Sequence, residues 1–267
     1  MAMAAAAFAL AMPPRARAQD VLETGPKDVP ADNRFDTGLM KSTLVVPRTR
    51  VERFRMPVID VHSHSYAETP EAIAEWVKLL EQVNVRTTFI LTRNGETGAA
   101  FRDLVRKYAS AHPGRFVMFA GFPRDGIEAS DYGQRLRGQL REDVAAGAAG
   151  LGELSDKGQG LVRVGETAYF IDDPRFDPLW DEAGKLHVPV FVHIAEPAAF
   201  YQPPDEKNEL RRSANWSLYG HGTPGFEAML ARFENLLSRH SSTRFVAVHS
   251  FNLANDLRRV EALLARV

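Results

Sequence analysis

From residue 57 the chain alternates between short apolar runs and longer segments whose apolar positions recur every three or four residues. "VIDVH" (58–62) is a short apolar run ending in a histidine, the pattern of a candidate buried strand. "TPEAIAEWVKLLEQV" follows, with Thr69 placed to cap a helix, Pro70 suited to its first position, and Ile73, Trp76, Val77 and Leu80 on one face. The rhythm repeats. Strands are predicted at "RTTFILT" (86–92), "RFVMFAGF" (115–122), "AAGLGEL" (148–154), "VPVFVHI" (188–194) and "TRFVAVHSF" (243–251), each followed by a helical pattern. Two helices open on a capping residue and proline, Asp173-Pro174 and Thr223-Pro224. Six strand–helix units with nearly continuous apolar strands predict an α/β fold with a parallel sheet covered by helices. Both an open doubly wound sheet and a (β/α)8 TIM-type barrel fit this order. A barrel needs two more β-α units than the chain contains.

Ahead of this rhythm, residues 19–56 are polar, proline-containing and aperiodic, and read as an extended arm. Residues 1–18 hold an apolar run and an Ala16-Arg17-Ala18 stretch resembling a signal-peptide cleavage site, so export, with a periplasmic location, is the expectation. A cytoplasmic location follows if the leader is not a signal peptide. No run is long enough to span a bilayer. The 267 residues, 45% hydrophobic and 25% charged, suffice for one large core. A net charge of −1 gives no electrostatic case for nucleic acid. The absence of cysteine excludes disulfides, thiolate zinc sites and cysteine nucleophiles.

The polar residues at the strand ends carry the chemistry. His62 and His64 share a strand face, because alternate residues point the same way. Glu153 ends the fourth predicted strand, His193 the fifth and His249 the sixth. Active sites of α/β folds gather at this C-terminal edge. Imidazole and carboxylate together are the common ligands of zinc and similar divalent ions. Glu153 has an ordinary alternative, an ion pair with Lys157 or Arg163. Asp60 could brace a ligand's second nitrogen or bond the backbone. His112, His187 and His240 sit at predicted helix ends, where imidazole suits exposed carbonyls.

The motifs "VIDVHSHSY", "VPVFVHIAEP" and "RFVAVHSFN" resemble the first, fifth and sixth strand motifs of the amidohydrolase superfamily, and more narrowly its aminocarboxymuconate-semialdehyde decarboxylase-like branch. The resemblance runs from about residue 57 to the end. It implies a TIM barrel of which about six β-α units are present here, residues 57–267. It implies His62, His64 and His193 as ligands of a divalent ion, zinc first and manganese or iron as alternatives. Glu153 falls where relatives with two metals carry a bridging ligand. His249 would bind a second metal or act on substrate or water. The family's strand-eight Asp has no counterpart, so the sequence is expected to be C-terminally incomplete.

The implied activity is metal-dependent hydrolysis of an ester, lactone or amide-type bond in a small molecule. The alternatives are non-oxidative decarboxylation of an unsaturated or aromatic acid, and a non-catalytic remnant. Substrate contacts are expected from Tyr201, Arg211, Trp216 and His221, in the long connection after the fifth strand; packing within that loop is their ordinary alternative. An oligomer is compatible with all of this.

Overall fold

A computed structural model describes residues 51–92, 95–210, 216–254 and 256–265. The leader, nearly all of the arm, and Arg211 lie outside the described residues. The described residues divide into two compact units, one within residues 51–196 and 224–265, the other within residues 197–223.

The larger unit holds a six-stranded parallel sheet. Its strands are β1 (Val58–Ser63), β2 (Val85–Leu91), β3 (Phe116–Ala120), β4 (Ala148–Asp156), β7 (Val190–Ile194) and β8 (Phe245–Ala247), paired in that order. The sheet curls into a half-barrel, a partial (β/α) TIM-type barrel with β1 and β8 at its edges. Helices α1 (Pro70–Val83), α2 (Gly98–Val105), α3 (Tyr132–Ala145), α4 (Asp177–Lys185), α5 (Phe226–Arg239) and α6 (Leu257–Leu264) follow the strands. Thr69 caps α1 as its sequence predicts, accepting from the Ala72 amide at 3.2 Å, with Asn84 closing the helix in the left-handed region. Asp173 caps a short 3-10 turn, Pro174–Phe176, ahead of α4.

Side chains alternate along the strands, so the sheet has two apolar faces. Ile90 and Met118 point to the helices and pack with Ile73, Leu80, Phe101 and Tyr108. Their neighbours Leu91 and Phe119 point the other way and meet Phe191 and Val248. Trp180 on α4 is fully buried, its ring 6.2 Å from Phe176 and 5.9 Å from Phe245. Trp180→Ala is expected to cost about 3–5 kcal/mol through the cavity left in this packing. Urea unfolding measures the loss; a change within ~0.5 kcal/mol, the surface-substitution range, would show that the ring is not part of the core.

Two segments differ from the sequence expectation. A β-hairpin, β5 (Val162–Val164) and β6 (Thr167–Tyr169), follows β4 where no strand was expected; Gly165, at φ 56°, makes its two-residue turn. The sixth main strand stops at Ala247 rather than continuing through Phe251, because His249, Ser250, Phe251 and Asn252 all take positive φ (51–62°), which no strand can accommodate.

In the smaller unit, a 3-10 turn (Ala198–Tyr201) leads into a loop organised by Asn208. The Asn208 amide donates to the Ala199 and Pro203 carbonyls, each at 2.9 Å, and its oxygen accepts from the Leu210 amide at 2.8 Å. No described helix is long and apolar enough to cross a membrane.

Candidate metal centre

Glu153 sits within β4, buried, and four imidazoles surround its carboxylate. Oε2 lies 3.1 Å from His62 Nε2 and 3.2 Å from His64 Nε2. Oε1 lies 2.8 Å from His193 Nδ1 and 3.4 Å from His249 Nε2. Strand order explains the convergence. β4 and β7 are neighbours in register, Ser155 opposite His193, which brings Glu153 and His193 to one edge. Gly152 lets β4 lie close against β7: its φ is +139°, and a Cβ there would fall 2.6 Å from Phe191 Cβ. The Gly152 carbonyl is held by the Thr92 amide at 2.8 Å and the Thr92 hydroxyl at 3.2 Å.

The pattern of protons tests whether a cation fits. His64 Nδ1 faces the Leu91 carbonyl at 2.9 Å, so Nδ1 carries the hydrogen. In the neutral ring, Nε2 then turns a lone pair towards Glu153 Oε2. Two lone pairs 3.2 Å apart repel unless a proton or a cation relieves them. His193 repeats the arrangement. Its Nε2 is buried with no hydrogen bond and lies 3.7 Å from Glu196 Oε2, while Nδ1 points at Glu153 Oε1. With the hydrogen on Nε2, His193 also presents a lone pair to the centre. The donors form two groups sharing Glu153, namely His62, His64 and Glu153, and Glu153, His193 and His249; within each, the candidate ligand atoms lie within 4.8 Å of one another. Imidazole nitrogens with a shared carboxylate fit a divalent ion.

Burial pushes the Glu153 carboxyl up, but hydrogen bonds from His193, His62 and His64 outweigh it and hold the group far below the usual carboxylate range. His193 is pushed down by burial and pulled up by its contacts with Glu153 and Glu196; the balance is upward. His249 moves down, through burial and through its proximity to His193. It is the least buried of the four rings, with 44% of its side chain exposed.

The four histidines expected from the strand ends thus meet around the carboxylate of the fifth residue, Glu153. Lys157 and Arg163, the ion-pair partners considered for Glu153, pair elsewhere: Lys157 with Glu196, and Arg163 with Glu166 at 3.2 Å. Asp60 bonds the backbone, accepting from the His62 amide at 3.2 Å. His240 follows α5 and sets its ring nitrogens 3.0 Å from Asp181 and Asp177. Tyr201, Trp216 and His221 lie in the smaller unit, Trp216 and His221 on exposed loop positions. The sequence reading missed Glu196 and the Leu91 carbonyl. Glu196 was visible three residues beyond His193 in "HIAEP"; a carbonyl partner has no residue signature.

The family model for amidohydrolases matches residues 59–266. Among solved structures, one assigned as an amidohydrolase of Staphylococcus aureus superposes with a TM-score of 0.51 at 18% identity, covering 78% of this chain and 72% of that one. 2,6-Dihydroxybenzoate decarboxylase from Rhizobium gives 0.48 at 16% identity, over 74% of this chain and 67% of that one. A 79-residue stretch is 35% identical to the ribosomal protein uS12 methylthiotransferase RimO of Dechloromonas aromatica, over 30% of this chain and 18% of that protein. The chain therefore spans about a fifth of the length of the curated relatives it matches.

Proposed function

Because this chain belongs to the amidohydrolase family, we propose that it is a metal-dependent hydrolase that cleaves an ester, lactone or amide-type bond of a small molecule. The observation that carries the reading is the ring of four imidazoles on the buried Glu153 carboxylate. His62, His64, His193 and Glu153 would hold a divalent ion, with zinc favoured by the nitrogen-rich donor set and manganese or iron as alternatives. Bound there, the ion would polarise a scissile carbonyl and lower the pKa of water.

The chain's own groups supply the rest. Glu153, held ionised, keeps the imidazoles facing inward. The Leu91 carbonyl fixes the His64 tautomer, directing the Nε2 lone pair towards the Glu153 side of the site. His249 is the most accessible ring and is kept neutral, so its Nε2 can take a proton from an attacking water or steady a developing oxyanion. Tyr201, Arg211, Trp216 and His221 are proposed to contact substrate, on their place in the connection after the fifth main strand. Export is proposed from the leader at residues 1–18.

A second reading, in which each of the two donor groups would hold an ion and Glu153 would serve both, is favoured by the division of its oxygens, Oε2 facing His62 and His64, and Oε1 facing His193 and His249. Metal analysis of the zinc-reconstituted protein, together with assays of ester, lactone and amide hydrolysis and of CO2 release from aromatic acids, tests both readings. Zinc-dependent hydrolysis is expected, and the zinc stoichiometry separates one ion from two. Zinc-dependent CO2 release would assign a decarboxylase, and bound zinc without turnover on either class a non-catalytic remnant.

A further inference from the structure

We infer that Asn252 is a positioning residue that locks His249 against Glu153 and His193. The inference rests on the reading of this cluster as a cation site. His249 does not sit on a strand. It starts a run of four consecutive left-handed residues, His249, Ser250, Phe251 and Asn252, with φ of 56°, 51°, 62° and 56°. None is glycine, and the side chains of L-residues disfavour this region. Such a run persists only where its surroundings hold it.

Within the turn, the Leu253 amide donates to the Ser250 carbonyl at 3.0 Å. Across to β7, the Asn252 side-chain amide donates to the Ile194 carbonyl at 3.1 Å and the Ala195 carbonyl at 3.0 Å. Ala195 is itself left-handed, at φ 58°, and directly follows the strand that ends with His193 and Ile194. One side chain therefore ties the His249 turn to the backbone just beyond His193.

What that tie positions is specific. The His249 ring lies 4.7 Å from the His193 ring, nearly edge-on, and 5.1 Å from the His62 ring, stacked at 27°. Its Nε2 lies 3.4 Å from Glu153 Oε1. The group of Glu153, His193 and His249 is thus assembled from β4, β7 and the turn, with Asn252 as the cross-link between the last two. The group of His62, His64 and Glu153 has separate support, from β1 and the Leu91 carbonyl. Releasing Asn252 should disturb the first of these groups and spare the second.

Asn252→Asp keeps the shape and tolerates the left-handed backbone, but presents a carboxylate to two carbonyl oxygens. Asn252→Gly keeps the backbone freedom and removes the amide. Both are compared with wild type, His249→Ala and the double variant His249→Ala/Asn252→Asp, using Co2+ titration against a competing chelator. We expect each Asn252 variant to weaken the Co2+ affinity that depends on His249 by ~10-fold or more, the scale for losing a support behind a metal ligand. Co2+ held by His62, His64 and Glu153 should be retained. The double variant should bind no more weakly than His249→Ala alone, because the two residues act as one unit.

In metal-free protein, diethyl pyrocarbonate should modify His249 at least roughly threefold faster in the Asn252 variants, relative to His221, as the turn opens locally. Wild-type affinity and wild-type His249 reactivity in both variants would overturn the inference, as would losses that add in the double variant. If wild type binds no Co2+, the cation reading falls, and the His249 modification rate alone decides the positioning role.

Discussion

Replacing His62 and His64 together with alanine is expected to abolish high-affinity binding of a divalent ion while leaving the fold intact. Both rings lie on the Oε2 side of Glu153, at 3.1 and 3.2 Å, and together supply two of the three donors of their group. Loss of a supporting partner behind a ligand costs about 10–100-fold in metal affinity, so loss of two direct donors should exceed that range. Neither ring belongs to the two hydrophobic clusters on the faces of the sheet. Far-UV circular dichroism should therefore match wild type, while elemental analysis after dialysis should find less than a tenth of the wild-type metal. Metal content unchanged from wild type in the double variant would exclude the first-strand pair as ligands and move the site towards Glu153, His193 and His249.

The site was legible in the sequence because its residues mark themselves. A histidine or glutamate ending an apolar run is visible without a structure, and a parallel sheet gathers such ends at one edge. The core strands were equally plain: alternating neighbours such as Ile90 and Leu91, or Met118 and Phe119, are apolar on both faces because both faces are covered. The pattern failed where backbone geometry, rather than hydrophobicity, decides. "TRFVAVHSF" reads as a continuous strand, yet it reverses into a left-handed turn after Val248, in which Ser250 and Phe251 are residue types that disfavour the conformation. "VRVGETAY" carries only a weak strand signal because its strands are three residues each and only partly apolar, although Gly165 marks the turn. Partners made of backbone, such as the Leu91 carbonyl that sets the His64 tautomer, leave no trace in residue identity.

Glu153→Gln should have the broadest consequences, because one carboxylate faces all four imidazoles. The amide removes a negative charge and offers one acceptor where the carboxylate offered two, so both donor groups lose their shared ligand. Metal affinity should fall by more than the roughly 100-fold upper end seen for supporting residues. The metal-free protein carries a second signature. The Glu153 carboxyl is depressed in the folded state, so its contribution to stability is complete above the unfolded carboxyl value, ~4.3, and fades as pH falls through the folded value. His193 is raised, so its contribution is complete below the unfolded imidazole value, ~6.5, and is lost as pH rises through the folded value. The two overlap fully between about pH 4.5 and 6.5, where metal-free wild type should gain most over the variant. In Glu153→Gln the chief group raising His193 is gone and only Glu196 is left to oppose burial, so the ring's contribution in the acidic window should shrink. Thermal unfolding of both metal-free proteins from pH 4 to 9 measures the difference. It should be largest in the acidic window and shrink towards pH 9; a difference that stays constant with pH would show that Glu153 stabilises the fold by packing alone, without charge exchange with the imidazoles.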